Sequence, residues 1–172
     1  MPAGVALDTS FLITLAGPDR GHHQTARRYW RHFIEQKIPV YLPSIVVSEF
    51  YIRQEIVPEI LRACIILPFN WDDAVEAASL DFSQVARGGV SRDALKDDVK
   101  IIAQAIVKDA AWIITDDSKS LYKFANDLRA AGQAAVRPIK LEDAFDLSLF
   151  NPQGQRSMDY GGPPDDPEGT GE

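Results

Sequence analysis

Short apolar runs alternate with longer helical patterns along most of this chain, and the alternation limits what it can fold into. The strand candidates are Val5–Leu7, Val40–Leu42, Cys64–Leu67, Trp112–Thr115 and Val136–Arg137. Between them, apolar side chains recur every three or four positions, as on one face of a helix. Successive strands joined by helical crossovers run parallel. The sequence therefore predicts an α/β domain with a mainly parallel central sheet.

Cap and turn residues set the expected ends of the helices. We expect Ser44 to cap the helix after the second strand and Asp72 to cap the helix after the third. Gly88–Gly89 is expected to end the latter helix, and Gly132 the helix after the fourth strand. A last short helix is predicted over residues 141–147.

The composition changes sharply after residue 150. Residues 151–172, NPQGQRSMDYGGPPDDPEGTGE, are rich in proline, glycine and acids and have little to bury. They are predicted to form a disordered acidic tail. Five acids and one arginine give this tail −4 of the net charge of −7, which leaves a mildly acidic domain over residues 1–150. That length suits one domain with its own core.

Cysteine usage and hydropathy suggest a compartment. Cys64 is the only cysteine, which excludes an internal disulfide and a cysteine-rich zinc site. No apolar run approaches the roughly 18 residues that span a bilayer, and the N-terminus lacks the pattern of a secretory signal. We therefore expect a cytoplasmic protein without a membrane partner.

Several acids stand where a globular protein normally places apolar residues. Asp8 directly follows the first strand, and Asp116 and Asp117 directly follow the fourth. Glu49 and Asp98 have apolar residues three and four positions away, so each points along the apolar face of its helix. Ligands of parallel α/β sheets bind at the carboxyl ends of the strands. The strand-end acids lie at that edge, and the helical acids are expected near the starts of their helices.

Each acid also has an ordinary structural interpretation. An aspartate after a strand commonly forms a turn or caps the next helix, which applies to Asp8, Asp116 and Asp117. Glu49 can pair with Arg53 one helical turn later. Acids gathered without matching bases repel one another, however, and a divalent cation offsets that repulsion.

The residue types favour a particular metal and reaction. Carboxylates without cysteine or histidine partners select Mg²⁺ or Mn²⁺ over zinc. His22 and His23 are adjacent and cannot easily face one ion, so a solvated loop is expected for them. Asp98 is preferred over its neighbour Asp97 because the apolar stripe lies on its side. Such a site supports metal-assisted phosphoryl transfer and, on nucleic acid, phosphodiester hydrolysis.

Three segments resemble, in order and spacing, the motifs of the PIN-domain ribonucleases, and within them the VapC-like toxins of type II toxin–antitoxin systems. They are VALDTSFLI, LPSIVVSEF and DDVKIIAQAIVKDAAWIITDD. The similarity covers roughly residues 4–147. It implies a three-layer, Rossmann-like α/β/α fold, a homodimer, a cognate antitoxin, and cleavage of RNA that depends on Mg²⁺ or Mn²⁺.

The resemblance also assigns residues by position. The catalytic, metal-binding acids are Asp8, Glu49, Asp98 and Asp117. The third and fourth belong to doublets, so Asp97 and Asp116 remain alternates; Asp117 is preferred because the family pattern leaves one residue between the threonine and the acid. Ser10 and Thr115 match the small hydroxyl residues that hold a ligand carboxylate or a water beside these acids.

Other contacts and other functions stay open. Arg27 and Arg31 share a helix face and are either RNA phosphate contacts or ordinary exposed charges. The alternative functions are a PIN-like RNA-processing or RNA-binding protein that is not a toxin, and a Mg²⁺-dependent phosphatase. The phosphatase would use an aspartyl phosphate and needs a second aspartate where Ser10 stands. A nucleotide-binding protein would need a glycine-rich phosphate loop, which is absent.

Overall fold

The computed structural model describes residues 3–81 and 92–151. Its strands are β1 (Val5–Leu7), β2 (Val40–Pro43), β3 (Ile65–Leu67), β4 (Trp112–Thr115) and β5 (Arg137–Lys140). They form a single sheet in the order β3-β2-β1-β4-β5, and every neighbouring pair is parallel. The predicted parallel α/β class is confirmed.

Helices cover both faces of this sheet. Those in the described residues are α1 (Thr9–Ala16), α2 (His23–Glu35), α3 (Ser44–Tyr51), α4 (Pro58–Ala63), α5 (Trp71–Ser79), α6 (Arg92–Val107) and α7 (Leu121–Ala130). The chain moves outward from β1 to β3 and then returns across the sheet to β4 and β5, so right-handed crossovers place the two sets of helices on opposite faces. Accordingly α1 packs on α2 and α3, and α6 packs on α5 and α7. The result is the predicted three-layer α/β/α fold.

The central strands are apolar at successive positions. Val5, Ala6 and Leu7 of β1 are fully buried, as are Ile113 and Ile114 of β4. Neighbouring side chains of a strand point to opposite faces, and here both faces are covered by helices. This explains why the strands appear in the sequence as unbroken apolar runs. In the described residues, no helix combines the length and apolar character needed to cross a bilayer.

The register of β1 against β4 brings the strand-end acids together. Leu7 pairs with Ile114, and the Asp8 N–H continues the ladder by donating to the Ile114 carbonyl at 3.1 Å. Asp8 therefore stands beside Thr115 at the carboxyl edge of the sheet. The two aspartates that follow Thr115 are delivered to the same edge.

Two predicted strands and one predicted helix differ from the structure. The third strand begins at Ile65, one residue later than predicted, and the fifth is Arg137–Lys140 instead of Val136–Arg137. Pro138 discourages a strand prediction, but β5 is an edge strand whose outer side needs no N–H donor. The prediction of a helix over residues 141–147 is wrong. The structure has a turn at the start of this stretch and a single-turn 3-10 helix, Leu147–Phe150, at its end. The Asp146 carboxylate accepts from the Ser148 N–H at 2.8 Å, and this local hydrogen bond competes with helix formation.

Two predicted caps are also wrong. Ser44 is the first residue of α3, and its hydroxyl accepts from the Phe69 N–H at 3.2 Å, which ties this helix to the segment after β3. Asn70 caps α5 in place of Asp72 by accepting from the N–H groups of Asp72 and Asp73. The Asp73 carboxylate accepts in return from the Asn70 N–H at 2.8 Å, which completes a capping box.

Gly132 behaves as predicted after α7. Its φ of +73° lies in the left-handed region that glycine adopts without strain. The helix that was expected to reach Gly88–Gly89 ends at Ser79 in the structure, and those glycines lie outside the described residues. The predicted tail, beyond its first residue, lies outside them as well.

Candidate active site

Asp8 is buried at the end of β1, where it also caps α1. Its Oδ2 accepts from the hydroxyls of Ser10 at 2.5 Å and Thr115 at 2.7 Å. Burial raises the pKa of the Asp8 carboxyl, and these hydrogen bonds oppose that rise without cancelling it. Asp8 therefore caps α1, as one interpretation of the sequence proposed. A further role is compatible with this cap, because both hydroxyls bind the same carboxylate oxygen, Oδ2.

The backbone after β4 orients the two hydroxyls. The N–H of Asp116 donates to Ser10 Oγ at 2.8 Å, and the N–H of Asp117 donates to Thr115 Oγ1 at 2.9 Å. A hydroxyl has one hydrogen, so each accepts from the backbone and donates to Asp8. Asp8 Oδ1 lies outside these hydroxyl contacts.

The side chains of the Asp116–Asp117 doublet are used differently. Asp116 Oδ1 lies 2.6 Å from His22 Nδ1, and its Oδ2 accepts from Thr14 Oγ1 at 2.6 Å. Asp117 uses only Oδ1, which accepts from two backbone N–H groups before α7, that of Ser120 among them, each at 2.9 Å. Both oxygens of Asp116 are engaged, so the geometry favours Asp117 as the metal-binding member.

The two helical acids are connected to this edge through hydroxyls. The Ser120 hydroxyl donates to Asp98 while its N–H is bound to Asp117, so Ser120 joins the third and fourth acids. The Thr9 hydroxyl, at the start of α1, donates to Glu49. Glu49 thus contacts α1. The sequence had instead suggested an ion pair with Arg53, one helical turn later.

Both helical acids were expected near the starts of their helices, and this prediction is wrong. Glu49 is the sixth residue of α3 and Asp98 the seventh of α6. A helix that crosses the edge of a sheet can present a side chain there from any turn, so the distance along the chain from a strand is a poor guide.

Burial and charge repulsion both raise the pKa values of acids in this group. Burial raises the pKa of Asp98 to about 7, and the charges of Asp8, Asp117 and Glu49 raise it as well. Burial also raises the pKa of Glu49, and the charges of Asp8 and Asp97 add to that effect. Asp98 therefore lies close enough to the other three predicted acids to interact with each of them electrostatically.

Asp97 points away from the buried side of α6. Its side chain is 40% exposed and lies 3.1 Å from Lys100 Nζ. Asp98, by contrast, lies among Leu95, Ile101 and Ile102, which are all buried. The buried neighbours of Asp98 and its contact with Ser120 support it over Asp97, and the choice between them stays a prediction.

The acids suit a divalent cation by charge and by donor type. Hard carboxylate and hydroxyl oxygens are the donors that Mg²⁺ and Mn²⁺ prefer. A cation would offset both the burial of these charges and the repulsion between them. Within residues 3–81 and 92–151, however, no three His, Cys, Asp or Glu side chains approach closely enough to hold one ion together. Binding would therefore need side-chain adjustment or bridging waters, several of which Mg²⁺ usually retains.

Sequence patterns missed three side chains of this region. Thr9 and Ser120 bind acids through their hydroxyls, and the only sequence signal is a short hydroxyl residue directly after Asp8 or three after Asp117. His22 was expected in a solvated loop, but it binds the first aspartate of the doublet. The neighbouring His23 is buried and has a structural contact with a backbone carbonyl of α1 at 2.9 Å.

The predicted RNA contacts lie apart from the acids. Arg27 and Arg31 are on the exposed side of α2, which leads away from the acidic group. Arg31 lies nine residues beyond His22, which corresponds to roughly 13 Å of helical rise. The two arginines border a groove with Trp30 and Ile34. Their contact with RNA stays a prediction.

A comparison with protein families matches residues 5–127 to the PIN domain. The chain belongs to the PIN domain family. The matched region contains all four candidate acids, and membership of this family supports a nuclease function. The resemblance seen in the sequence motifs is thereby confirmed. A search of curated proteins gave no significant match.

Three solved structures illustrate the fold that this chain shares with other proteins. VapC20 of Mycobacterium tuberculosis, described as a sarcin–ricin loop cleaving toxin, is 21% identical with a TM-score of 0.51 over 78% of this chain and 100% of that chain. FitAcB of Neisseria gonorrhoeae is 19% identical with a TM-score of 0.53 over 77% and 96%. VapBC2 of Rickettsia felis, bound to a promoter DNA fragment, is 12% identical with a TM-score of 0.53 over 78% and 97%. Identities this low show a shared fold.

Proposed function

We propose that this protein is a metal-dependent endoribonuclease that hydrolyses RNA phosphodiester bonds, and that it is the toxin of a toxin–antitoxin pair. The observation that carries the proposal is a group of four carboxylates at the carboxyl edge of the sheet, in which the charges of the other three act on Asp98. The four are Asp8, Glu49, Asp98 and Asp117. Hydroxyls and backbone N–H groups orient them, and family membership supports a nuclease.

Asp8, Asp98 and Asp117 would hold Mg²⁺ or Mn²⁺, with Glu49 beside them. When bound, such an ion polarises the scissile phosphate and lowers the pKa of a bound water. Ser10 and the threonine at the end of β4 fix the rotamer of Asp8, so that its carboxylate is oriented before substrate arrives.

The raised pKa values of Glu49 and Asp98 suit different roles. Glu49 is half-buried and its pKa is raised, which suits acceptance of a proton from the attacking water. Without a cation, burial and the neighbouring charges raise the pKa of Asp98 to about 7, and a bound cation would favour its ionised form. The Ser120 hydroxyl holds the Asp98 carboxylate in place in either state.

The proposed biology rests on relatives of the same fold. A toxin described as cleaving the sarcin–ricin loop is among them, which favours RNA as the substrate and a toxin as the role. A toxin of this class is expected to bind a cognate antitoxin and to act in the cytoplasm, where its RNA substrate is.

We also propose a homodimer, and the outer edge of the sheet supports it. Ile65 and Ile66 of the edge strand β3 are each 51% exposed, and Trp71 at the start of α5 is 80% exposed. Successive strand residues point to opposite faces, so both faces of this edge are incompletely covered. A second copy would cover such an apolar surface. Light scattering should give twice the chain mass, and Ile66→Glu should give the single mass.

The nuclease proposal is tested with purified protein and total cellular RNA in Mg²⁺, in Mn²⁺ and in EDTA. We expect cleavage with either ion and none in EDTA. Asp8→Asn should abolish it, because that change removes a ligand charge and keeps the shape. The matched control Asp97→Asn should cleave normally. Normal cleavage by Asp8→Asn, or cleavage in EDTA, would refute the proposal.

The toxin role needs a separate test in cells. Induced expression should arrest growth, and Asp8→Asn should not. RNA cleavage by the purified protein without growth arrest would instead indicate an RNA-processing enzyme.

A further inference from the structure

His22 is held in a defined orientation next to the acidic group. It precedes α2 without capping that helix, because its side chain turns to Asp116 instead. An ionised carboxylate only accepts hydrogen bonds, so His22 Nδ1 carries the hydrogen of the 2.6 Å contact. The imidazole is 42% exposed and its second nitrogen, Nε2, is not used by this contact.

Asp116 is itself fixed relative to the acids. Its Oδ2 accepts from Thr14 Oγ1, and its N–H donates to Ser10 Oγ at 2.8 Å. Ser10 in turn donates to Asp8 at 2.5 Å. Three successive hydrogen bonds therefore connect the imidazole of His22 to the carboxylate of Asp8. A ring held in this way has a set position with respect to anything bound at the acids.

An RNA strand at this edge needs donors for its phosphates, because the acids repel it. Lys100, which lies close to Glu49, is engaged with Asp97. His22 is an exposed imidazole whose ring is already oriented by a carboxylate. An imidazole that contacts a carboxylate through one nitrogen and a phosphate through the other donates from both nitrogens, because both partners only accept. The ring is followed by α2, whose N-terminal end favours negative charge.

We propose that His22 binds a backbone phosphate of the RNA substrate through Nε2, and that Asp116 positions this imidazole. The inference rests on the proposed nuclease function and adds a substrate-binding residue to it. It also gives the two members of the doublet different roles, with Asp117 beside the metal and Asp116 beside the substrate.

The test measures RNA binding separately from catalysis. The probe is a fluorescein-labelled single-stranded RNA of 20 nucleotides with mixed sequence, titrated by anisotropy in Mg²⁺ against the Asp8→Asn protein. Adding His22→Ala should weaken binding by about tenfold, the loss typical of a charged hydrogen bond. The plot of log Kd against log salt should become shallower by about 0.7, the value of one phosphate contact on a single strand. His22→Lys should restore the salt dependence, and the exposed control Gln24→Ala should match its parent.

Two further measurements distinguish positioning from metal binding. With the Asp8 side chain intact, His22→Ala should raise KM about tenfold and change kcat by less than about twofold, because a uniform binding contact is lost. Asp116→Asn should weaken RNA binding in the same direction and leave Mn²⁺ affinity unchanged by calorimetry.

Three outcomes would overturn the inference. Equal RNA binding by the His22→Ala protein and its parent would refute the phosphate contact alone. Loss of Mn²⁺ binding in Asp116→Asn would make Asp116 a metal ligand. Absence of RNA binding by the Asp8→Asn parent, together with absence of cleavage by the unaltered protein, would refute the nuclease proposal and this inference with it.

Discussion

Ionisation of Asp98 should destabilise the metal-free protein as the pH rises. Burial raises the pKa of its carboxyl to about 7 from 3.8, and the neighbouring charges of Asp8, Asp117 and Glu49 raise it too. The folded protein therefore holds this proton more tightly than the unfolded chain does. The resulting stability is fully present below pH 3.8 and is lost as the pH rises through 7.

The size of this effect follows from the two pKa values. Each pH unit between them corresponds to about 1.4 kcal/mol, so ionisation of Asp98 costs the folded protein at most about 4 kcal/mol at pH 8. Asp98→Asn replaces the charge by a neutral group of the same shape that still accepts from Ser120. In EDTA at pH 8 this variant should raise the free energy of unfolding by roughly 2–4 kcal/mol, and at pH 4 by less than about 1 kcal/mol.

Urea unfolding followed by circular dichroism measures both values. The matched control is Asp97→Asn, which loses one exposed ion pair worth less than about 1 kcal/mol at either pH. Millimolar Mn²⁺ should stabilise the unaltered protein at pH 8 and should stabilise Asp98→Asn less. A destabilised Asp98→Asn protein at pH 8 in EDTA would refute the claim that this carboxylate is repelled in the folded state.

Three further changes test the hydroxyl network and one helix end. Thr115→Val should lower the free energy of unfolding at pH 7 by about 1–3 kcal/mol in urea titrations. Asp8 loses a donor and the Asp117 N–H loses its acceptor. An unchanged urea midpoint would contradict this. Ser120→Ala should raise the pKa of Asp98 further, seen by NMR titration of the carboxyl carbon, because the hydrogen bond that opposes burial is lost. Gly132→Ala should destabilise by about 1 kcal/mol in thermal unfolding, because φ is +73° there.

Four of the five strands were predictable to within a residue because buried parallel strands are apolar at successive positions. Val5–Leu7 and Trp112–Thr115 are apolar at successive positions, and the structure gives them the predicted bounds. The fifth strand was misplaced because Pro138 is unfavourable within a sheet and tolerated only at its edge. Whether a strand lies at an edge depends on the strand order, which local sequence does not encode.

Part of the candidate site was predictable for a related reason. An acid inside an apolar pattern is costly unless something compensates it, so Asp8 and Asp98 stand out in the sequence. Their partners do not. Ser120 lies 22 residues from Asp98, and His22 lies 94 residues from Asp116, so these contacts exist only once the sheet has formed. Hydroxyl and histidine residues are common near acids, so their positions in the sequence give only a weak sign of such contacts.

Calorimetric titration with Mn²⁺ tests the central claim, that the acids at the carboxyl edge of the sheet are there to hold a divalent cation. The protein should bind Mn²⁺, Asp8→Asn should lose at least about tenfold in affinity, and the control Asp97→Asn should bind like the unaltered protein. Equal Mn²⁺ affinity in all three proteins, or no binding by the unaltered protein, would contradict the account.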